Sequence, residues 1–169
     1  MSSNSPDAMR RFHLLIALAV VALDRLSKWL VARDIALHDG IQIIPGFFRL
    51  THVENRGAAF SLFADATSPW RTWLLVTFSV VALIIVVTLL WKNSHAMNST
   101  GIGLSLILGG ALGNLWDRLA TGKVVDFLLF YVGRYEWPAF NVADSAIVIG
   151  AGLLAVEILF SKNTEKRLA

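Results

Sequence analysis

Long apolar stretches alternate with shorter polar segments along the chain, and their lengths set the first expectation. An α-helix needs about 20 residues to cross the hydrocarbon core of a bilayer. Four apolar stretches approach that length, at about 12–33, 70–91, 101–120 and 139–160. The second has no charge between Leu74 and Leu90, whereas the other three carry polar residues. The pattern predicts an integral membrane α-helical protein with four transmembrane helices, of which the second faces lipid.

The segment at about 34–68 is too long for a simple connection. Between Ile41 and Glu54 it is rich in β-branched and aromatic residues, with a Pro-Gly turn at 45–46. This composition predicts two or three short strands that form a small external sheet between helices 1 and 2. Gly57, which follows the predicted strands, permits a tight turn or the close approach of another backbone.

Composition supports a single membrane domain over residues 1–169, because hydrophobic residues make up 56% of the chain and the mean hydropathy is +0.61. The net charge is only +3 and no basic cluster alternates with aromatic residues, so a nucleic-acid partner is not expected. Cysteine is absent, which excludes a disulfide framework, a thiol nucleophile and thiolate zinc sites. The histidines lack metal-ligand spacing, so no metal or organic cofactor is expected; they are His13, His38, His52 and His95.

The membrane orientation follows less directly from the charges. Four crossings place both termini on one side, and the segments 34–68 and 121–138 on the other. Arg10 and Arg11 before an apolar run are typical of a secretory signal, but no small-residue cleavage site follows, so a retained first helix is expected. Lys and Arg are nearly balanced between the two sides, but the tails carry an excess of unpaired cations. We therefore expect both termini in the cytoplasm.

Two groups of polar residues lie within the predicted helices. Asp24 and Lys28, four residues apart in helix 1, share a face and can form an ion pair there. The pair either fixes the helix structurally or forms a polar wall of a substrate site. In helix 3, Gly110, Asn114 and Arg118 form a stripe that must face the bundle or a water-filled cavity, either as packing contacts or as site residues. Gly109 and Gly113 indicate close helix packing.

Two further carboxylates lie near the ends of helices 3 and 4. Asp126 taken alone is an ordinary loop carboxylate, and Asn141 with Asp144 is also a good N-cap arrangement for helix 4. The topology places Asp126 and Asp144 on the same side, so the two can approach each other. Because a like charge raises the pKa of one member, such a pair can share a proton and activate water for attack on a peptide carbonyl. Asp144, near a helix N-terminus, is the better-stabilised anion, and Asp126 the better acid.

At this point the residues resemble the bacterial lipoprotein signal peptidases, also called signal peptidase II. The resemblance runs from helix 1 to helix 4 and omits only the tails. Its motifs occur in order: Asp24 to Lys28; Pro45 to Leu50 with Asn55 to Phe60; Gly109 to Arg118 leading into Gly122 to Phe127; and Phe140 to Asp144.

The resemblance implies a four-helix bundle with an external β-cradle, and an aspartic endopeptidase of the bacterial inner membrane that is inhibited by globomycin. Its expected partners are membrane lipid and lipid-modified prolipoproteins, which it cuts before the lipidated Cys of the lipobox; a monomer is our default. The implied catalytic residues are Asp126 and Asp144. The implied site-supporting residues are Asn55, Asn114, Arg118 and Asn141, with Asp24 and Lys28 near the pocket. The cradle would close over the site, with Gly57 permitting approach and Phe60 covering it.

Two other functions are compatible with a small polytopic protein. A proton-coupled membrane transporter requires charges near the bilayer midplane and favours internal repeats. The carboxylates instead cluster at one predicted end, and no repeat is present. A noncatalytic assembly or chaperone protein that binds lipoproteins through its external sheet is expected to tolerate Asp126→Asn or Asp144→Asn, which a peptidase would not.

Overall fold

The computed structural model describes residues 6–57, 70–93 and 98–168. In these ranges the chain forms four helices and four strands. The helices are α1 (Pro6–Asp34), α2 (Trp70–Lys92), α3 (Ser99–Thr121) and α4 (Val142–Leu168). The strands are β1 (Gly40–Ile44), β2 (Phe48–Asn55), β3 (Val124–Val132) and β4 (Tyr135–Glu136). Phe60, predicted to cover the site, lies outside the described residues.

The four helices contain the four apolar stretches of the sequence. Two spans within the described residues are long and apolar enough to cross a membrane, Trp73–Lys92 in α2 and Val142–Phe160 in α4. In α1 the charges of Asp24, Arg25 and Lys28 interrupt the apolar run, and in α3 glycines and polar side chains dilute it. The chain therefore has two purely apolar helices and two that carry polar groups into the bundle.

Helix α3 lies at the centre of the bundle and packs against the other three helices. Its glycines allow the close approach. A Cβ added at Gly109 would lie 2.6 Å from the carbonyl oxygen of Ala17 in α1, and one at Gly103 would lie 2.8 Å from that of Gly150 in α4. Between these contacts a hydrophobic core forms, in which Leu104 and Leu108 of α3 are buried with residues of α1 and α2. The predicted packing role of Gly109 is confirmed.

The strands form one antiparallel sheet in the order β1-β2-β3-β4. Strands β1 and β2 are joined by a turn that contains Pro45 and Gly46, and Gly46 has a φ of 77°, which glycine adopts without strain. This hairpin confirms the predicted strands between helices 1 and 2.

The sheet is nevertheless not confined to the connection between helices 1 and 2. Strands β3 and β4 come from the connection between α3 and α4, and β3 pairs with β2 along most of its length, with Phe130 opposite Phe48 and Val124 opposite Asn55. The prediction that Asp126 is a loop carboxylate was therefore wrong. Valine and aromatic side chains make Val124–Val132 suitable for a strand, and the neighbouring β2 supplies the backbone partners it needs.

Backbone hydrogen bonds join the start of α4 to β3. The carbonyl oxygen of Phe140 accepts from the N–H groups of Phe127 and Leu128 at 2.9 and 2.8 Å, and its N–H donates to Leu128 at 3.1 Å. On the other side of the sheet, Phe127 packs with Val31 and Ile35 at the end of α1. These contacts place the ends of α1, α3 and β3 next to the first turn of α4.

Candidate active site

Asp126 lies in the inner strand β3 with only 3% of its surface exposed, and amide groups bind both of its carboxylate oxygens. Asn55, at the end of the neighbouring strand β2, donates from Nδ2 to Oδ2 at 2.9 Å. Asn141, just before α4, donates from Nδ2 to Oδ1 at 2.7 Å. Three different elements thus meet at this carboxylate, and its hydrogen-bond donors are neutral.

Asp144 lies in the first turn of α4, where Asn114 of α3 donates from Nδ2 to its Oδ1 at 2.7 Å. Its own N–H donates to Oδ1 of Asn141 at 2.9 Å, and the N–H of Asn141 donates to Oδ2 of Asp144 at 3.4 Å. These reciprocal bonds form a capping box, so the capping interpretation of Asn141 and Asp144 is confirmed. The helix N-terminus also favours negative charge on Asp144.

Asn141 joins the two carboxylates, because its side chain binds Asp126 while its backbone and side-chain oxygen bind Asp144. The negative charges of the two carboxylates interact across it. The prediction that Asp126 and Asp144 approach each other is confirmed by this geometry. The same asparagine caps the helix and orients the pair, so capping does not exclude a second role.

The environment of Asp126 changes its protonation. Burial raises the pKa of Asp126 from 3.8 to about 6; hydrogen bonds from Asn55 and Asn141 oppose this rise, and the charge of Asp144 adds to it. The net effect keeps a proton on this carboxyl near neutral pH far more often than on an exposed aspartate. A buried carboxyl with a pKa close to the working pH is suited to general acid or base catalysis.

A second set of buried charges lies beside the carboxylate pair. Lys28 Nζ lies 2.7 Å from Oδ2 of Asp24, 2.7 Å from Oδ2 of Asp117 and 3.0 Å from Oδ1 of Asn114. The three charged side chains are between 0 and 8% exposed. Asp24 also accepts from the N–H of Ala143 at 3.0 Å, so it contacts the first turn of α4. The predicted Asp24–Lys28 pair is confirmed.

The sequence pattern missed the partners that complete this set. Asp117 lies on α3 between Lys28 and Arg25, and its Oδ1 accepts from Nη1 of Arg25. Asp117 follows Asn114 by three residues, so it lies on the same helix face, and this spacing was the available signal. Gly113 completes the contact, because a Cβ there would lie 2.6 Å from Oδ2 of Asp24.

Two of the other predicted site residues lie at the edge of the network. Arg118 is half-buried, and its guanidinium interacts electrostatically with Asp144 and Asp126. No hydrogen bond links its side chain to another residue in the described ranges. Gly57 has a φ of 103° and donates its N–H to Oδ1 of Asn55 at 2.8 Å, so it closes the turn that orients Asn55. A Cβ at Gly57 would collide with Leu75 of α2, which explains the need for glycine.

The arrangement supplies carboxylates and amides for acid–base chemistry. In the described part of the chain no three His, Cys, Asp or Glu side chains are grouped so that they could hold a metal ion. The histidines have other surroundings: His52 Nδ1 forms a hydrogen bond with the carbonyl oxygen of Ile35 at 2.8 Å, and His13 is buried between α1 and Gly101 of α3.

Comparison with known proteins places this site in a family. The family model described as signal peptidase (SPase) II matches residues 16–160. The lipoprotein signal peptidase of Solibacter usitatus (strain Ellin6076) is 48% identical over 148 residues, covering 88% of this chain and 90% of the relative. That of Alteromonas mediterranea is 43% identical over 157 residues, covering 93% and 84%.

Solved structures show the same fold. A bacterial membrane enzyme determined at 2.3 Å resolution matches with a TM-score of 0.80 at 31% identity and covers 90% of both chains. A second bacterial membrane enzyme, determined at 1.9 Å, matches with a TM-score of 0.78 at 32% identity, over 88% of this chain and 92% of that one. The family model and these relatives extend over all four helices and the sheet, and we conclude that the chain is a membrane protein that belongs to the signal peptidase II family.

Proposed function

We propose that this protein is an aspartic endopeptidase that removes the signal peptide from diacylglyceryl-modified bacterial prolipoproteins, with cleavage before the lipidated cysteine. The main support is the arrangement of Asp126 and Asp144 on two elements around one asparagine, in a member of the signal peptidase II family. The family relation supports the substrate class. The geometry of the carboxylates supports the aspartic type.

The different environments of the carboxylates suggest their roles. Asp144, at the N-terminus of α4 and bound by Asn114, acts as the anion that takes a proton from the attacking water. Asp126, with a pKa raised to about 6, holds the proton that is passed to the carbonyl oxygen or to the leaving amine. The pair exchanges these protons as one unit, so the roles describe the start of the reaction.

The supporting residues fix this pair. Asn55 and Asn141 hold Asp126, while Asn114 connects Asp144 with Lys28. Arg118 carries the nearby cation that offsets developing negative charge on the peptide carbonyl. Gly57 orients Asn55 and lets the cradle approach α2.

The membrane arrangement follows from the proposed substrate. We place all four helices across the bacterial inner membrane as a single domain, with both termini in the cytoplasm and the carboxylate pair at the extracytoplasmic face. The signal helix and the diacylglyceryl chains of the substrate then remain in lipid while the scissile peptide reaches the polar end of the bundle. A monomer suffices, because both carboxylates come from one chain.

Purified protein in detergent or lipid is to be incubated with a diacylglyceryl-modified prolipoprotein and with its unlipidated form. We expect cleavage of the lipidated form, inhibition by globomycin, and no cleavage by Asp126→Asn. Asp34→Asn is the matched control, because Asp34 pairs with Arg33 on the exposed surface. If neither form is cut, or if Asp126→Asn cuts as fast as Asp34→Asn, the proposed function is wrong.

A further inference from the structure

An apolar groove of about 390 Å³ opens on the sheet, outside the network of carboxylates and amides. Aromatic side chains from three segments form most of its wall, among them Phe47, Phe130, Tyr135, Trp137 and Phe140. Its volume lies within the range of small-molecule and cofactor sites, which are also mostly apolar. None of the catalytic or supporting residues lies in its wall.

The groove combines a packed floor with an exposed rim. Phe130 stacks on Phe48 with ring centroids 4.8 Å apart and on Phe140 at 5.9 Å, so the floor is held by ring contacts. At the rim, Trp137 is 56% exposed and Tyr135 is 67% exposed. Large exposed apolar patches mark surfaces that bind a partner or a membrane. This groove is therefore shaped before anything binds.

The groove begins next to the carboxylate pair. Its wall residue Phe140 directly precedes Asn141, whose side chain binds Asp126 at 2.7 Å. The backbone of Phe140 is also bonded to Phe127 and Leu128, the residues that follow Asp126 in β3. Consecutive Cα atoms are about 3.8 Å apart, so one end of the groove lies one residue from the group that orients Asp126.

We infer that this groove receives one acyl chain of the diacylglyceryl group carried by the substrate; the inference rests on the proposed function. In that reaction the lipid is attached to the cysteine that follows the scissile bond. Its acyl chains must therefore leave the site within about one residue of the carboxylates, where Phe140 begins an apolar path. A chain held there fixes the cysteine, and with it the peptide bond that is cut.

The expected benefit is positional. Moving an acyl chain from the bilayer to the groove exchanges one apolar environment for another, so little hydrophobic free energy is gained. Holding the reacting bond in position can instead change the rate strongly, since misplacement by about 1 Å can cost about 100-fold. The groove then explains how the enzyme distinguishes a lipidated cysteine from an unmodified one.

The first test locates the chain directly. The full-length Asp126→Asn protein, in phosphatidylethanolamine and phosphatidylglycerol vesicles, is mixed with a prolipoprotein peptide that carries a photoreactive diazirine in one acyl chain. We expect labelling within residues 130–140. A phospholipid with the same diazirine chain, added without substrate, should label the outer helix surfaces instead. Substrate labels found only on the helices, or equal labelling of the groove by the phospholipid, would overturn the inference.

A second test compares two tryptophans of similar exposure, Trp137 at 56% in the groove and Trp29 at 54% on α1. We expect Trp137→Ser to lower kcat/KM for the lipidated substrate by about tenfold through lost positioning, and Trp29→Ser to leave it unchanged. Equal rates for the two variants contradict the inference. If the wild type cleaves normally but labelling falls outside the groove, only the groove assignment fails; a wild type that cleaves nothing rejects the proposed function.

Discussion

The protein holds two sets of buried carboxylates side by side, and their partners differ in kind. Asp24 and Asp117 face the ammonium group of Lys28, at 2.7 Å in each case. Asp126 instead receives its hydrogen bonds from the amides of Asn55 and Asn141. A cation neutralises a carboxylate, whereas an amide supplies a hydrogen bond and leaves the charge in place. The first set is therefore suited to structure, and the second to holding and releasing a proton.

The difference also has an energetic side. Removing one member of a buried ion pair leaves an uncompensated charge, which is strongly destabilising. Replacing a buried aspartate that is held by amides with asparagine removes a charge whose burial was unfavourable. Substitutions in the two sets should therefore separate folding from catalysis.

The largest effect is expected on cleavage. Asp126→Asn and Asp144→Asn should each lower kcat by about 10²–10⁴-fold or more, because each removes a proton-transfer group. Thermal unfolding in detergent should change little for Asp126→Asn. Cleavage of a lipidated substrate and the unfolding midpoint are to be measured on the same preparations. Full activity in either variant would contradict the assignment of the pair.

The next effect is expected on stability. Lys28→Met should destabilise the fold by about 3–5 kcal/mol, because Asp24 loses its cation while buried. Lys123→Met is the control, since Lys123 pairs with Glu54 at a partly exposed position, and such pairs contribute about 0–1 kcal/mol. Chemical or thermal unfolding in detergent measures both. Equal unfolding midpoints would show that the buried cluster does not stabilise the bundle.

The pH dependence sharpens the contrast further. If protonated Asp126 is the acid, its protonated fraction falls as pH rises through its pKa of about 6, and kcat/KM should fall with it. The hydrogen bond from Asn55 lowers this pKa, so Asn55→Ala should raise it and move the decline to higher pH. Asn93→Ala, at the far end of the bundle beside Asn98, should leave the profile in place. A decline that moves to lower pH in Asn55→Ala contradicts the proposed role.

The smallest effect concerns the packing between the two sets. A Cβ at Gly113 would lie 2.6 Å from Oδ2 of Asp24, which is held in the ion cluster, so Gly113→Ala should cost about 1–3 kcal/mol. At Gly152 in α4 nothing lies within 4 Å of the added Cβ. Gly152→Ala should therefore stabilise by up to about 1 kcal/mol. Unfolding midpoints that change in the same direction would show that the close approach at Gly113 is unimportant.

Local patterns in the sequence were enough for several elements. The four helical stretches follow from long apolar runs, and the β1–β2 hairpin follows from β-branched residues around Pro45 and Gly46. Asp24 and Lys28 are one helical turn apart, so their pairing is also local. Asn141 and Asp144 form a cap for the same reason. Each of these features depends on residues within a few positions of one another.

Other features depended on chain segments far apart in the sequence. Val124–Val132 becomes a strand because β2 lies beside it, and Asp126 is thereby moved from an expected loop into the sheet. The resemblance to the signal peptidase II family identified Asp126 and Asp144 but not which groups bind them. Asn55 meets Asp126 across 71 positions, and Lys28 meets Asn114 across 86. Residue types along the chain thus determined which groups were available, and only the tertiary structure decided which carboxylates meet a cation and which meet an amide, because that choice depends on distances between separate elements.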